Sequence, residues 1–225
     1  LKVGNSPAFT FAPPGIFGAV TDPGVGQGFD ADLAKQLFQE YLDERGFTIA
    51  DFNSAYPLVM GQLNGLNNSA SDIAIKNWND ILGVTVTTKT VETAEFQSSI
   101  AKDNPIKDAF SMFQWAWCAD YPDQNDFLHV LFNSEFGSNA VRRNCADETC
   151  TAILPDDEFD KLTLTASQIN DPEERQKLYA QAEHILVVEE AALAPIYYGS
   201  SISLTKPWLT RNFPNMGAPD FMNWI

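Results

Sequence analysis

The sequence predicts an α/β fold in which a mainly parallel central sheet is flanked by helices and a strand returns near the carboxyl end. Three observations carry this. Strand, helix, strand, helix and strand patterns follow one another from residue 47 to residue 117, which is the order that builds right-handed crossover units and a parallel sheet. Residues 109–117 alternate as a strand with both faces mostly apolar: Ala109, Ser111, Phe113, Trp115 and Trp117 on one side, Phe110, Met112, Gln114 and Ala116 on the other. A strand apolar on both sides belongs in the middle of a sheet covered by helices. Finally, several helical patterns carry their own start and stop residues.

In chain order, residues 1–29 are rich in Pro and Gly and read as an irregular segment laid over a core. Gly24-Val25-Gly26-Gln27-Gly28 precedes a helix but lacks both the GxGxxG spacing and a strand ahead of it, so a phosphate-binding loop is rejected. Asp30 caps a helix to Arg45, with Leu33, Ala34, Leu37, Phe38, Tyr41 and Leu42 as its apolar stripe and Gly46 at its stop. Residues 47–52 read as a short strand. Residues 53–68 stay ambiguous: Tyr56, Leu58, Val59, Met60 and Leu63 suit a helix, whereas Pro57, Gly61 and Gly65 interrupt one.

Ser69 or Ser71 caps the next helix, which turns Ala74, Ile75, Trp78, Ile81 and Leu82 inward and ends at Gly83. Residues 84–90 are β-branched except for Lys89 and predict a strand. A helix over 92–101 leads to the two-sided strand at 109–117. Helices follow over 123–131, 156–169 and 172–190. The last has the fullest signals: Asp171 as cap, Pro172 as first residue, Glu173 and Glu174 at the positive end, and Leu178, Ala182, Ile185 and Leu186 on one face. Residues 195–204 return as a strand, and the tail to 225 has turn composition.

The chemistry concentrates after the two-sided strand, in Gln114-Trp115-Ala116-Trp117-Cys118-Ala119-Asp120-Tyr121-Pro122-Asp123, followed by Asp126-Phe127-Leu128. Asp120 is expected just past the carboxyl end of an interior strand, where open α/β sheets place their ligands. Two readings of it stand open. In one, Asp120 to Asp123 is a turn capping the next helix. In the other, a carboxylate framed by Trp115, Trp117 and Tyr121 receives a cationic group.

Composition narrows the partners. With 14 basic against 30 acidic residues in 225, the net charge of −16 disfavours nucleic acid and anionic membranes, which are bound through Lys and Arg. No apolar run of about 20 residues occurs, so no spanning helix is predicted. An enzyme is not indicated. His129 and His184 are the only histidines and both lie in helical patterns; Cys118 with His129 lacks an orienting third group. No metal-ligand cluster or cofactor motif stands out. Cys145 and Cys150 lie in a polar loop, Arg142-Arg143-Asn144-Cys145-Ala146-Asp147-Glu148-Thr149-Cys150, that a local disulfide could close in an oxidising compartment; a zinc site there would need two further ligands.

Trp117-Cys118-Ala119-Asp120-Tyr121-Pro122-Asp123 with Phe127-Leu128 resembles the signature of the oligopeptide-binding proteins of bacterial ABC importers, solute-binding protein family 5. Further segments resemble that family in the same order: Ala12-Pro13-Pro14-Gly15, Gly28-Phe29-Asp30 with Ala34 to Leu37, Trp78 with Leu82-Gly83-Val84, Phe159-Asp160-Lys161-Leu162, Leu178-Tyr179-Ala180-Gln181-Ala182-Glu183, Ala194-Pro195-Ile196-Tyr197-Tyr198 and Lys206-Pro207-Trp208. The resemblance covers nearly the whole chain. It implies a periplasmic-binding-protein-like lobe, with residues 1–205 as the second, carboxy-terminal lobe and 206–225 as a tail returning towards a first lobe that lies upstream.

Leu1 is not an initiator Met, no signal peptide is seen, and the sequence opens within family-like segments; a carboxy-terminal fragment is therefore expected. The protein is expected to be periplasmic or extracellular, possible lipid anchorage lying in the absent amino terminus.

By resemblance, Asp120 holds the amino-terminal ammonium of an oligopeptide and the main chain before it pairs with the ligand as an added strand. Trp115, Trp117, Cys118 and Ala119 frame that pair, and Phe96 falls where the family carries an aromatic near the ligand. Partners implied are the oligopeptide, the membrane permease of the transporter and the missing amino-terminal lobe. In the family, a Cys at the position of Cys118 can pair with one in the earlier part of the molecule. Gln114 departs from the pattern, standing where some members have an Arg for the ligand's carboxylate, which puts a fixed peptide length in doubt. The Cys145 to Cys150 loop has no counterpart in that pattern. A non-peptide solute such as a nickel chelate, sugar or opine, or a peptide sensor or chaperone without a transporter, remains as an alternative.

Overall fold

A computed structural model describes residues 4–21, 28–104, 110–147, 150–200 and 204–208. In order the elements are β1 (Ser6–Pro7), α1 (Ala31–Arg45), α2 (Ile49–Ala55), β2 (Leu58–Leu63), α3 (Ser69–Asn77, continued by a π turn, Trp78–Leu82), β3 (Val86–Val91), α4 (Thr93–Ile100), β4 (Met112–Phe113), α5 (Asn125–Phe132), α6 (Glu158–Gln168), α7 (Pro172–His184, continued by a π turn, Ile185–Glu189) and β5 (Tyr197–Tyr198). They fall into two compact units, and the α/β class with a parallel sheet is borne out.

One unit runs from Gly28 to Ala116, with a short piece at 147–151. Its sheet has the order β3-β2-β4, all parallel, with Leu58 opposite Val86 and Gly61 opposite Phe113. The central strand is thus β2, in the stretch the sequence left ambiguous. Gly61, which argued against regular structure there, has a packing reason: a Cβ on it would lie 2.2 Å from the Phe110 ring. Glycine inside a strand marks such close approach. Leu63, Val91 and Phe96 form the core on this sheet, with Ile100, Phe110 and Phe113 against it. The buried Gln62 is satisfied on both sides, donating to Ser71 Oγ (3.1 Å) and Asp72 Oδ1 (2.8 Å) and accepting from Thr90 Oγ1 (3.3 Å).

Two expectations are corrected in this unit. Residues 47–52 do not form a strand, because Thr48 and Asp51 make a reciprocal capping box (Asp51 N to Thr48 Oγ1 3.2 Å, Thr48 N to Asp51 Oδ2 2.8 Å) that starts α2. Nor is 109–117 an interior strand. Ala109 lies outside the described residues; within them only Met112 and Phe113 pair, with β2 alone, so β4 is an edge. Trp115 and Ala116 are exposed. Apolar alternation cannot tell a strand buried on two faces from a segment whose aromatics line an open surface. On α1, Leu42 is buried as expected, whereas Leu33 and Leu37 at its amino-terminal end are exposed. The segment Gly24 to Gln27 lies outside the described residues.

In the other unit, α5, α6 and α7 close on Leu128, Phe132, Phe159, Ala166, Tyr179, Ala182 and Leu186. Burying each large side chain of this group stabilises the fold by about 1.5–3 kcal/mol. Asp171 caps α7 as expected, accepting from Glu173 N and Glu174 N (3.0 and 2.9 Å). Its buried stripe is Tyr179, Ala182, Glu183 and Leu186, with Leu178 and Ile185 at the margin, so the helix is rotated from the expected face and carries a carboxyl group inward.

A segment from Thr10 to Ala19 lies against these helices. Phe11 meets Phe127 and Phe132 edge to face (5.4 and 5.5 Å), and Gly18, at φ +84°, leaves room for Tyr179 and Gln124 where a Cβ would clash. Arg143, expected in a polar loop, is 3% exposed. It lies 4.0 Å above the Phe159 ring and pairs with Glu190 (2.5 Å), Asp157 (3.2 Å) and Asp160 (3.5 Å). The returning strand is short: β5 pairs antiparallel with β1, Ser6 opposite Tyr198. Residues 201–203 of the expected strand and 209–225 of the tail lie outside the described residues.

Candidate functional site

The signature stretch leaves β4 and reaches α5 through a turn whose polar contacts are divided among three aspartates. Asp123 closes the turn: its Oδ1 accepts from Asn125 N (2.9 Å) and its Oδ2 pairs with Arg175 (2.7 Å), itself 4.9 Å above the Phe17 ring. The main chain of Phe17 brackets the same turn, Phe17 N donating to Pro122 O (3.2 Å) and Gln124 N to Phe17 O (2.9 Å). The capping role considered for the run 120–123 therefore falls to Asp123.

Asp126, in the first turn of α5, is 1% exposed. Its Oδ2 accepts from the Trp117 indole Nε1 and from the main-chain N of Asp120, both at 2.9 Å. Asp120 itself is exposed, and among the described residues no hydrogen bond or ion pair engages its carboxylate. Trp117 and Ala119 pack against Ala12, Ile16, Ala19 and Phe127, so both are half-buried beside the exposed acid. Cys118 is a free, exposed thiol, while Cys145 and Cys150 are disulfide-bonded.

Negative charge is concentrated here. Tyr121, whose hydroxyl donates to Asn125 Oδ1 (2.7 Å), has its pKa pushed up to about 12 by burial and then by Asp126, Asp123 and Asp120. Burial, the larger cause, disfavours a charge of either sign; the smaller part due to the three carboxylates is the part that favours a cation beside them.

The remaining expected residues belong to the sheet-bearing unit. Phe96 is fully buried and Trp115 stacks on it, centroids 5.1 Å apart at 13°, leaving Trp115 41% exposed. Gln114 is occupied within that unit: Ser71 N donates to its Oε1 (3.1 Å) and its Nε2 donates to Asn67 O (3.2 Å). It offers no charge where an Arg would. His129 meets Thr163 Oγ1 through Nδ1 (3.3 Å) and stacks on Phe136, a structural setting in which burial lowers its pKa. Among the described residues no three His, Cys, Asp or Glu side chains converge to hold a metal, and no helix is long and apolar enough to cross a membrane.

Sequence reading did not single out Asp126 or Glu183. Glu183 had a legible signal, since it sits on the i, i+3, i+4 stripe with Tyr179, Ala182 and Leu186. Asp126 had a weaker one, an acid followed directly by Phe127 and Leu128, and only the folded turn supplies its partners.

Fold and signature together place the chain beside the periplasmic peptide-binding proteins, and comparison with known proteins bears out that likeness. The chain is 26% identical over 206 residues to the periplasmic oligopeptide-binding protein OppA of Salmonella typhimurium, covering 92% of this chain and 34% of that protein. It is 28% identical over 220 residues to the periplasmic murein peptide-binding protein MppA of Escherichia coli, covering 95% and 36%. The probable deoxycholate-binding periplasmic protein YgiS of E. coli is 25% identical over 227 residues, covering 97% and 37%. The solved structure of the E. coli murein tripeptide binding protein MppA matches with a TM-score of 0.67 at 26% identity, over 92% of this chain and 37% of that one. No protein-family model matches. The chain thus spans about a third of the length of the relatives it matches, and those relatives are binding proteins rather than enzymes.

Proposed function

We propose that this chain is the carboxy-terminal lobe of a periplasmic or extracellular solute-binding protein that captures oligopeptides and delivers them to the permease of an ABC importer, without catalysis. Residues 1–205 form the lobe, 206–225 return towards an amino-terminal lobe of the same protein, and Asp120 takes the peptide's amino-terminal ammonium. The observation that supports this best is the division of labour in the signature: Asp123 and Asp126 are engaged internally, whereas the Asp120 carboxylate is exposed and unengaged among the described residues. Trp117, Cys118 and Ala119 frame it; of the other residues expected near the ligand, Phe96 is fully buried beneath Trp115 and is not itself a ligand contact.

The chemistry suits a peptide carrier. Main-chain pairing of an extended ligand is blind to its side chains, and one fixed charge sets its register. Because Gln114 is neutral and already hydrogen-bonded, it supplies no fixed charge for the ligand's carboxylate, which argues against selection of one peptide length through this position. An anionic solute such as deoxycholate, named for one relative, would gain nothing from the exposed Asp120 carboxylate.

Calorimetry on the full-length parent with tri-, tetra- and pentaalanine tests the reading. Asp120→Ala should abolish measurable binding while the circular dichroism spectrum is unchanged; a folded variant that binds these peptides as the wild type does refutes it.

A further inference from the structure

Asp126 is placed at a cost. Its carboxylate is almost wholly buried, Oδ2 accepts two N–H groups, and Oδ1 is buried without a hydrogen-bond partner among the described residues. No ion pair with Lys or Arg is found for it among those residues, in contrast to Asp123, which has Arg175. A buried acceptor left without a donor, on a group that is charged when ionised, is unfavourable and is not expected of a residue that only fills space or starts a helix. Asp126 does not serve as the helix cap either: it lies inside α5, and the residue preceding that helix, Gln124, makes no side-chain cap.

What the single oxygen Oδ2 accomplishes is geometric. Its two donors are the Trp117 ring and the Asp120 main chain, three residues apart on the irregular segment that leads into the turn. One acceptor therefore fixes the indole and the backbone that carries the Asp120 carboxylate with respect to each other, and Phe127 beneath Trp117 and Ala119 holds the acceptor's own helix in place. We infer that Asp126 is a positioning residue for the ammonium site: it locks Trp117 and the Asp120 backbone so that the Asp120 carboxylate is preset for an amino terminus before the ligand arrives. The inference rests on the peptide reading above. Presetting raises affinity by removing the ordering that would otherwise accompany binding.

The test uses the full-length parent, with tri-, tetra- and pentaalanine offered with free and with acetylated amino termini. The readout is the ratio of the two dissociation constants, which reports the ammonium alone. Asp126→Ala is expected to lower that ratio at least tenfold and to shift the Trp117 fluorescence, measured against a Trp117→Phe control. Asp126→Asn, whose amide oxygen accepts both N–H groups, is expected to keep the ratio within about threefold of wild type.

A folded Asp126→Ala protein that keeps the wild-type ratio overturns the inference. So does a folded Asp126→Asn protein whose ratio collapses, since charge and not positioning would then be at work; this second arm decides alone if the alanine variant does not fold. Should Asp120→Ala leave the ratio unchanged as well, the ammonium reading itself fails. An unchanged ratio confined to the Asp126 variants, with Asp120→Ala still effective, defeats only the positioning role.

Discussion

Glu183→Gln is expected to stabilise the protein at alkaline pH and to leave it unaltered at acid pH. Glu183 is fully buried on α7, accepting from the main-chain N–H groups of Phe11 and Ala12 and from the Gln124 amide. Burial raises its pKa from 4.5 to about 7, against the opposing pull of those donors. A carboxyl group whose pKa is higher folded than unfolded keeps its proton more tightly in the folded state, so stability is greatest below the unfolded value and falls as pH rises from there to the folded value. The difference between 4.5 and about 7 is worth about 3 kcal/mol, lost between roughly pH 4.5 and pH 7 and constant beyond.

Glutamine keeps the oxygen that serves Phe11 and cannot ionise. Its new N–H donors face Gln124, whose Oε1 is buried without a partner and can accept once that amide rotates. Urea unfolding at pH 4 and pH 8, followed by tryptophan fluorescence, should show the variant about 3 kcal/mol ahead at pH 8 and level with wild type near pH 4. A stability difference that does not change with pH, or a variant less stable at pH 8, refutes the reasoning.

Two further outcomes follow from the packing and from the share of the relatives that this chain covers. Arg143→Ala should destabilise the helical unit by about 3–5 kcal/mol in the same assay, because it strands Asp157, Asp160 and Glu190 without their shared cation; a loss under 1 kcal/mol would show the network to be dispensable. These 225 residues alone should bind peptides weakly or not at all, since ligands of hinged two-lobe proteins owe much of their burial to the other lobe; micromolar or tighter affinity by calorimetry would contradict the proposed lobe assignment.

Where the chain's own chemistry is local, sequence sufficed. Asp30, Asp171 and Pro172 start their helices as expected, Gly46 and Gly83 end theirs in left-handed conformation, and the β-branched run becomes β3. Where a residue's role is set by something distant in sequence, it did not. Gly61 reads as a breaker until the Phe110 ring lies over it, and Leu33 and Leu37 read as core until α1 is seen to cover only Leu42. The candidate site divides in the same way. Asp120 could be proposed from its neighbours and from family likeness, whereas the contacts on which the role inferred for Asp126 rests exist only when the turn brings Trp117 and the Asp120 main chain to one oxygen. The polar Arg142-Arg143 run gave no hint that Arg143 would be buried among three carboxylates, since ion pairing across 47 positions of chain leaves no periodic trace.

The most direct test is a crystal structure of the full-length parent with the ligand it retains from its host. The expected density is an extended peptide whose amino-terminal nitrogen lies about 3 Å from the Asp120 carboxylate, with Asp126 still holding Trp117 and the Asp120 main chain. A solute without an ammonium group, or a peptide whose amino terminus is held by other residues while Asp120 faces solvent, would contradict it.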